Sequence, residues 1–476
     1  MRISKLACTL AIIMAPFASS GSEINIPDIG TAGVMGLSVQ KEQQIGEYFI
    51  RTARSFMPVI DDPALDEYVA SLGNKLLINA NHVKFPFDFF VVKDTTLNAS
   101  AFLGGKVRIN SGLFYYCDTE DEFASVIAHE ITHVTQRHIA RFIEQQSAQS
   151  HLTTGALVGA IVMSLLNPAV GMAALTSTMG ATMQSSINFT RDNEYEADRI
   201  GIELLYKSGF NPRGSTDLFK KLQEQQGNIN PAFTMLIDHP LSQIRVSEAS
   251  ARIATLPARK DSDNPDFFLA KARSDVRYMN LQPDAILQGL EHSKMNGIYK
   301  SYVKALCYFE LNELDKAQSA LSELSALKSN IFVLDLQTDI DLKRGNINQA
   351  ISRLQQARSR LGDNKTVVLN LANIYYQNSS YDKANTLLER FIKKHPNDFT
   401  ALSLLSESYF KSGKRCEGLR TRGTFLSNIG NYNLSIAQFN EALNVCSDSM
   451  TKEKIKAQVV DLVNQRSFDE ELNKGM

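Results

Sequence analysis

Apolar side chains recur every three to four residues along most of this chain, the spacing that gives a helix one buried face. That period predicts helices over 40–56 and 63–78, and a denser apolar run predicts a strand over 85–92. Residues 98–105 are mostly small and end in a Gly pair, which reads as a turn. Lys106, Val107, Arg108, Ile109 and Asn110 then alternate polar with apolar, the pattern of a half-exposed strand. After the caps and first-turn acids of 118–122, Phe123, Val126, Ile127, Ile131 and Val134 form an apolar stripe at helical spacing. Helices resume over 190–209, stopped by Phe210-Asn211-Pro212, and over 215–225. Between these blocks, 155–183 is rich in Ala, Gly, Met and Leu and nearly free of charge. Asn167-Pro168 divides it into two pieces too short to cross a bilayer, so two short buried or interfacial helices, with the character of a mobile flap, are expected there.

The polar, Pro-containing stretch 257–265 reads as a linker between a first domain, 21–256, and a second, 266–476. In the second, small residues and aromatics recur at about 34 residues, the length of a tetratricopeptide helical hairpin. Ala317, Ala350 and Ala384 share a phase, and Ala372, Tyr375, Leu388 and Pro396 complete one copy. The last copy, around Gly423, Ser435, Phe439 and Ala442, arrives half a repeat out of phase, so one helix there is unpaired or shared. The expected fold is mainly α: helices around a small sheet, then a solenoid of helical hairpins.

Composition narrows the functional classes. A formal net charge of -1 gives nucleic acid nothing to bind. Arg2 and Lys5, a short apolar run and the small residues Ala18-Ser19-Ser20 make 1–20 a cleaved export signal. Export brings an oxidising compartment to Cys117, Cys307, Cys416 and Cys446. On the repeat register, Cys416 opens a helix over 415–429 and Cys446 closes the next, 433–446. Consecutive helices of such hairpins are antiparallel, so these two cysteines can pair.

The chemistry is concentrated in His129-Glu130-Ile131-Thr132-His133. On a helix the two histidines project from one face a turn apart, able to grip one zinc ion. Glu130 stands beside that face, placed to take a proton from a water on the metal. A zinc hydrolase needs a third protein ligand. Glu194 and Asp198, one turn apart on the 190–209 helix, offer it: one can ligate while the other orients a ligand imidazole. Glu196 points elsewhere on that helix, and His138, five residues after His133, faces away and reads as structural.

These motifs resemble those of the zinc metallopeptidases of the CAAX prenyl protease and HtpX-like group, over about 40–256. The resemblance covers His129 to His133, Glu194 to Asp198, His239-Pro240 with Arg245, and the small-residue segment and strand before the metal helix. It implies a zincin-like domain with one zinc per chain held by His129, His133 and Glu194. It implies Glu130 and Asp198 as catalytic residues, Asp198 as proton donor or as support behind a ligand. His239 and Arg245 lie in a segment that can approach the metal, where His239 either occupies the water's position or binds the reaction oxyanion. Lys106 to Asn110 is then an edge strand for an extended substrate. With the signal and the repeats, the resemblance implies a periplasmic endopeptidase acting on unfolded or misassembled polypeptides. Its repeats would dock onto outer-membrane beta-barrel assembly machinery, and peripheral contact with that membrane is compatible with this. The other reading is a chaperone or assembly factor in which proteolysis is secondary.

Overall fold

A computed structural model describes residues 37–149, 158–159, 161, 183–225 and 232–474. The expected signal over 1–20 and most of the apolar stretch 155–183 lie outside the described residues. Among the described residues no helix is long and apolar enough to cross a membrane.

The first helices are α1 (Val39–Phe56) and α2 (Pro63–Leu77). Asp62 caps α2 by accepting from the N–H groups of Ala64 and Leu65, and Pro63 takes the first-turn position where a missing N–H costs nothing. A three-stranded sheet follows: β1 (Asp88–Val92), β2 (Ala99–Phe102) and β3 (Lys106–Asn110), in the order β1-β3-β2. β3 runs parallel to β1 and antiparallel to β2. Gly104 and Gly105, at φ 69° and 78°, make the reversal from β2 to β3, and α1 packs onto this turn at Gly46. A Cβ on Gly46 would stand 2.3 Å from the Leu103 carbonyl oxygen.

Two expectations are corrected here. Residues 98–105 are not all turn: Ala99 to Phe102 form the strand β2, whose small side chains are buried against neighbours on both faces. Lys106, Val107, Arg108, Ile109 and Asn110 are not an edge strand, and none is half-exposed. β3 is central, bonded on both sides, and buried throughout. Its charged positions are matched inside the protein rather than solvated. Lys106 bonds Glu47 at 2.6 Å and also Asp88, while Arg108 faces Asp238, Asp94 and Glu130. Alternation cannot distinguish a wet face from a face of paired charges.

Next come α3 (Ser111–Tyr116), α4 (Glu120–Thr135), α5 (His138–Gln149), α6 (Met183–Lys207), α7 (Arg213–Gln225), α8 (Met235–Asp238) and α9 (Gln243–Ala254). α4 is the metal helix of the sequence analysis. Thr119 caps it through the Glu122 N–H, and nearly all of it is buried, packed against α6, α7 and β2.

The polar segment before α10 (Pro265–Tyr278) is bound to the metal helix. Asp121 accepts from the Ser262 and Asn211 N–H groups, Glu120 accepts from Asn264, and Asn211 donates to Asp261. Phe267 of α10 packs at a tilt against Phe123, ring centroids 6.1 Å apart, and Lys271 donates to the carbonyls of Phe114 and Tyr115. One apolar core runs from Ile60 through this junction to Ile340.

The repeats occupy α11 (Pro283–Leu290), α12 (Gly297–Glu310), α13 (Leu314–Ser322), α14 (Ile331–Lys343), α15 (Ile347–Leu361), α16 (Lys365–Gln377) and α17 (Tyr381–Ile392). They continue as α18 (Phe399–Lys411), α19 (Arg415–Asn428), α20 (Tyr432–Val445) and α21 (Ser449–Lys474). The in-phase alanines 317, 350 and 384 are fully buried. The array returns to the first helices: Glu67 of α2 accepts from Lys365 N and Thr366 Oγ1 at the start of α16. α21 takes the place of the shared last helix. Its Asp469 bonds Arg51 of α1 at 2.9 Å, and its Leu472 joins the cluster of Ile45 and Phe49. A disulfide joins Cys416 of α19 to Cys446 at the end of α20, with Cα atoms 5.1 Å apart.

Candidate metal centre

α4 presents His129 and His133 side by side, Nε2 atoms 2.9 Å apart. α6 crosses α4 and delivers Glu194, whose Oε1 lies 3.4 Å from His133 Nε2 and whose Oε2 lies 3.4 Å from His129 Nε2. The loop after α8 adds His239, with Nδ1 3.4 Å from His129 Nε2 and 3.0 Å from Glu194 Oε1. One ligand atom from each of these four residues falls within 4.8 Å of the others. Three imidazole nitrogens and a carboxylate are a donor set suited to zinc. The fit is supported by an orphan: Glu130 is buried, its Oε2 accepts from the Ala101 N–H at 2.7 Å, and its Oε1 has no hydrogen-bond partner. That oxygen faces the cluster, with His239 Nε2 3.3 Å away but not aligned to bond. Burial pushes the Glu130 carboxyl up, against the pull of the nearby histidines.

Support for the cluster comes from behind. His129 Nδ1 lies 3.1 Å from Asp198 Oδ1. Arg245 grips Asp198 with two bonds, 2.6 and 2.8 Å, reaches Glu194 Oε2 at 2.8 Å, and donates to the Pro240 carbonyl at 2.9 Å. Asp198 is buried, yet these bonds outweigh the burial and hold its carboxyl below the usual carboxylate range. Asp198, clamped by Arg245, stands on the far side of His129 from the cluster, where a carboxylate can orient that imidazole.

The loop carrying His239 is tied to the entrance of β2. Asn98 donates to Asp238 at 2.7 Å, Leu97 N–H to the Ala232 carbonyl at 2.7 Å, and Met235 N–H to the Leu97 carbonyl at 3.2 Å.

Two residues set aside in the sequence stand close to the site. His138 does not face away from His133: the two Nδ1 atoms are 2.7 Å apart. The helix does not run on to make it do so. Arg137 takes φ 55°, held by Glu42 and the Leu37 carbonyl, and the reversal folds His138 back. Glu196 does point away from Glu194, but onto His138 Nε2 at 3.2 Å and Arg141 at 2.7 Å. Gln136-Arg137 contains no Gly or Pro, so no residue type marks this break.

A small sheet, a buried helix bearing the two-histidine motif and a crossing helix that supplies a carboxylate define a metallopeptidase. Residues 63–253 match peptidase family M48, and residues 341–411 match the tetratricopeptide repeat. The chain is 37% identical over 441 residues to the beta-barrel assembly-enhancing protease of Escherichia coli (strain K12), covering 92% of this chain and 90% of that one. It is 36% identical over 435 residues to the protein of that name from Yersinia pestis, covering 90% and 88%. A shorter likeness, 29% over 197 residues, is to the metalloprotease LoiP of E. coli, spanning 40% of this chain and 73% of that one. The chain belongs to the M48 metallopeptidases and carries tetratricopeptide repeats behind the peptidase fold.

Proposed function

We propose that this chain is a periplasmic zinc endopeptidase that degrades misfolded or misassembled outer-membrane proteins, its repeats docking partners or clients from the assembly machinery. The observation that carries the reading is the convergence of His129, His133 and Glu194 beside the orphaned Oε1 of Glu130. Support for the cellular setting comes from the export signal read in 1–20 and from relatives whose names state beta-barrel assembly. When bound, zinc lowers the pKa of a water toward neutrality and polarises a carbonyl. Glu130 accepts the attacking water's proton at Oε1 and returns it to the leaving amine. Asp198 and Arg245 keep His129 and Glu194 in place.

The substrate strand is reassigned from β3 to β2, which is an edge of the sheet. The Ala101 N–H already points out of the sheet, to Glu130, so an extended peptide added along that edge passes the proton acceptor. Main-chain pairing of this kind selects unfolded segments over particular side chains.

His239 lies close enough to His129 and Glu194 to serve as a fourth ligand, where it would compete with the water that an active zinc hydrolase keeps. This contact favours a resting, gated site, and with it the second reading, in which the chain works for long periods as a chaperone or assembly factor. The test uses three variants with casein and with a complementation assay in a deletion strain. Glu130→Gln abolishes cleavage while retaining one zinc, and His133→Ala loses the zinc. His239→Ala cleaves faster than wild type if His239 gates the site. Full complementation by Glu130→Gln overturns the protease reading in favour of the scaffold.

A further inference from the structure

The two ligand histidines of α4 are held differently from behind. His129 meets a carboxylate directly, Asp198, whereas His133 meets another imidazole. If His133 offers its Nε2 lone pair to the metal, its proton sits on Nδ1 and is donated to His138 Nδ1. His138 must then be the neutral tautomer with its proton on Nε2, and that proton points at Glu196 Oε2, 3.2 Å away. Glu196 accepts again from Arg141 Nη2 at 2.7 Å, and Arg141 Nη2 also donates to Asn193 Oδ1 at 3.1 Å. A single assignment of protons satisfies every link: donation runs from His133 through His138 to Glu196, and Arg141 donates to Glu196 from the other side. His138 itself is buried, 3% exposed, so in the folded protein the ring and not bulk water stands behind His133.

We infer that His138 and Glu196 are positioning residues for the metal: the line His133–His138–Glu196, anchored by Arg141, fixes the tautomer and ring plane of His133 as Asp198 does for His129. The inference rests on His129, His133 and Glu194 being the metal ligands. It gives both α4 histidines a carboxylate from α6, one in direct contact and one through an intervening ring. Tilting of α6 therefore acts on both ligands together, although Glu196 never reaches the metal. Removing partners behind a ligand histidine typically weakens metal binding ~10–100-fold.

The test is zinc affinity of the full chain, stripped of metal and titrated with zinc against a chromophoric chelator, alongside the melting temperature of the metal-free protein. His138→Phe fills the space without an acceptor and is expected to bind zinc ~10–100-fold more weakly. His138→Asn sets its Oδ1 where Nδ1 stood and is expected to come back to within about threefold of wild type. Glu196→Gln, at a partly exposed position that threatens the fold least, is expected to weaken zinc about three- to tenfold, with the metal-free melting temperature unchanged. Zinc affinity of His138→Phe and Glu196→Gln equal to wild type overturns the inference. So does a His138→Asn variant as weak as His138→Phe, since packing rather than an acceptor would then be what matters. If the wild type itself takes up no zinc, or His133→Ala takes up as much as wild type, the ligand reading falls first, and the two failures are told apart.

Discussion

Replacing Arg273 with Met should destabilise the protein by about 3–5 kcal/mol at neutral pH. Arg273 lies on α10 with its charge almost wholly buried between two carboxylates, bonding Asp62 and Asp335 each at 2.6 Å. Asp62 caps α2 and takes a further bond from the Tyr278 hydroxyl at 2.8 Å, so one guanidinium links the helix before the sheet to the second helix pair of the repeats. Methionine keeps most of the apolar stem but strands two buried carboxylates, the circumstance in which a broken ion pair costs most. Two stranded partners rather than one place the loss toward the upper end of that range. Burial alone would raise the Asp62 carboxyl; Arg273 outweighs it and holds the value below the ordinary one. A depressed carboxyl contributes stability above its unfolded pKa and loses it as pH falls through the folded value. The wild type has that contribution at pH 7 and the variant does not, so the gap between them should narrow as pH is lowered through 4. Urea unfolding followed by circular dichroism at pH 7 and at about pH 3, below the unfolded carboxyl value, measures both quantities. Adding Asp62→Asn and Asp335→Asn to Arg273→Met should recover part of the loss, because no charge is then stranded. A deficit under about 1 kcal/mol at pH 7, the size of a surface pair, or one that does not shrink with acid, refutes the reasoning.

Three further outcomes are expected. Gly214→Ala puts a Cβ 2.4 Å from the Asp121 carbonyl, so α7 must shift off the start of the metal helix; a loss of about 1–3 kcal/mol is expected in thermal unfolding, with zinc content retained. Replacing both Cys416 and Cys446 with Ser opens a loop of 30 residues and should cost about 3–4 kcal/mol in the last repeats. Hydrogen exchange confined to α19–α21 checks this, and unchanged protection there counts against it. Asn98→Ala frees Asp238 and loosens the His239 loop, so casein cleavage should rise if that loop gates the site; a rate equal to wild type shows that the backbone bonds of Leu97 alone hold it.

What the sequence made legible was local. The stripe from Phe123 to Val134 and the spacing of His129, Glu130 and His133 are properties of one helix, and so is the one-turn offset of Glu194 and Asp198. The alanine phase of the repeats is likewise written in each hairpin. Illegible were the features set by distant partners. The central place of β3 depends on Lys106 finding Glu47 and Asp88, which no alternation pattern records. His138 returns to His133 at a left-handed turn whose Arg137 is held by Glu42, far back on α1, and by the Leu37 carbonyl. The core shared between the peptidase helices and α10 was hidden by the polar composition of the segment joining them. Its Ser262 and Asn264 are spent on Asp121 and Glu120 rather than on water.

Arg51 and Asp469 are 418 residues apart, and their bond closes the fold into a loop on itself. During synthesis, α1 emerges hundreds of residues before the helix that covers part of its apolar face. Until α21 arrives, Ile45 and Phe49 lack Leu472, and α1 is the helix that braces the turn at Leu103 beside the β2 edge. A chain cut short in its repeats would carry every residue of the metal centre and still leave that brace unfinished. In a fold assembled in this order, the brace behind the turn at Leu103 is completed by α21, the last helix among the described residues.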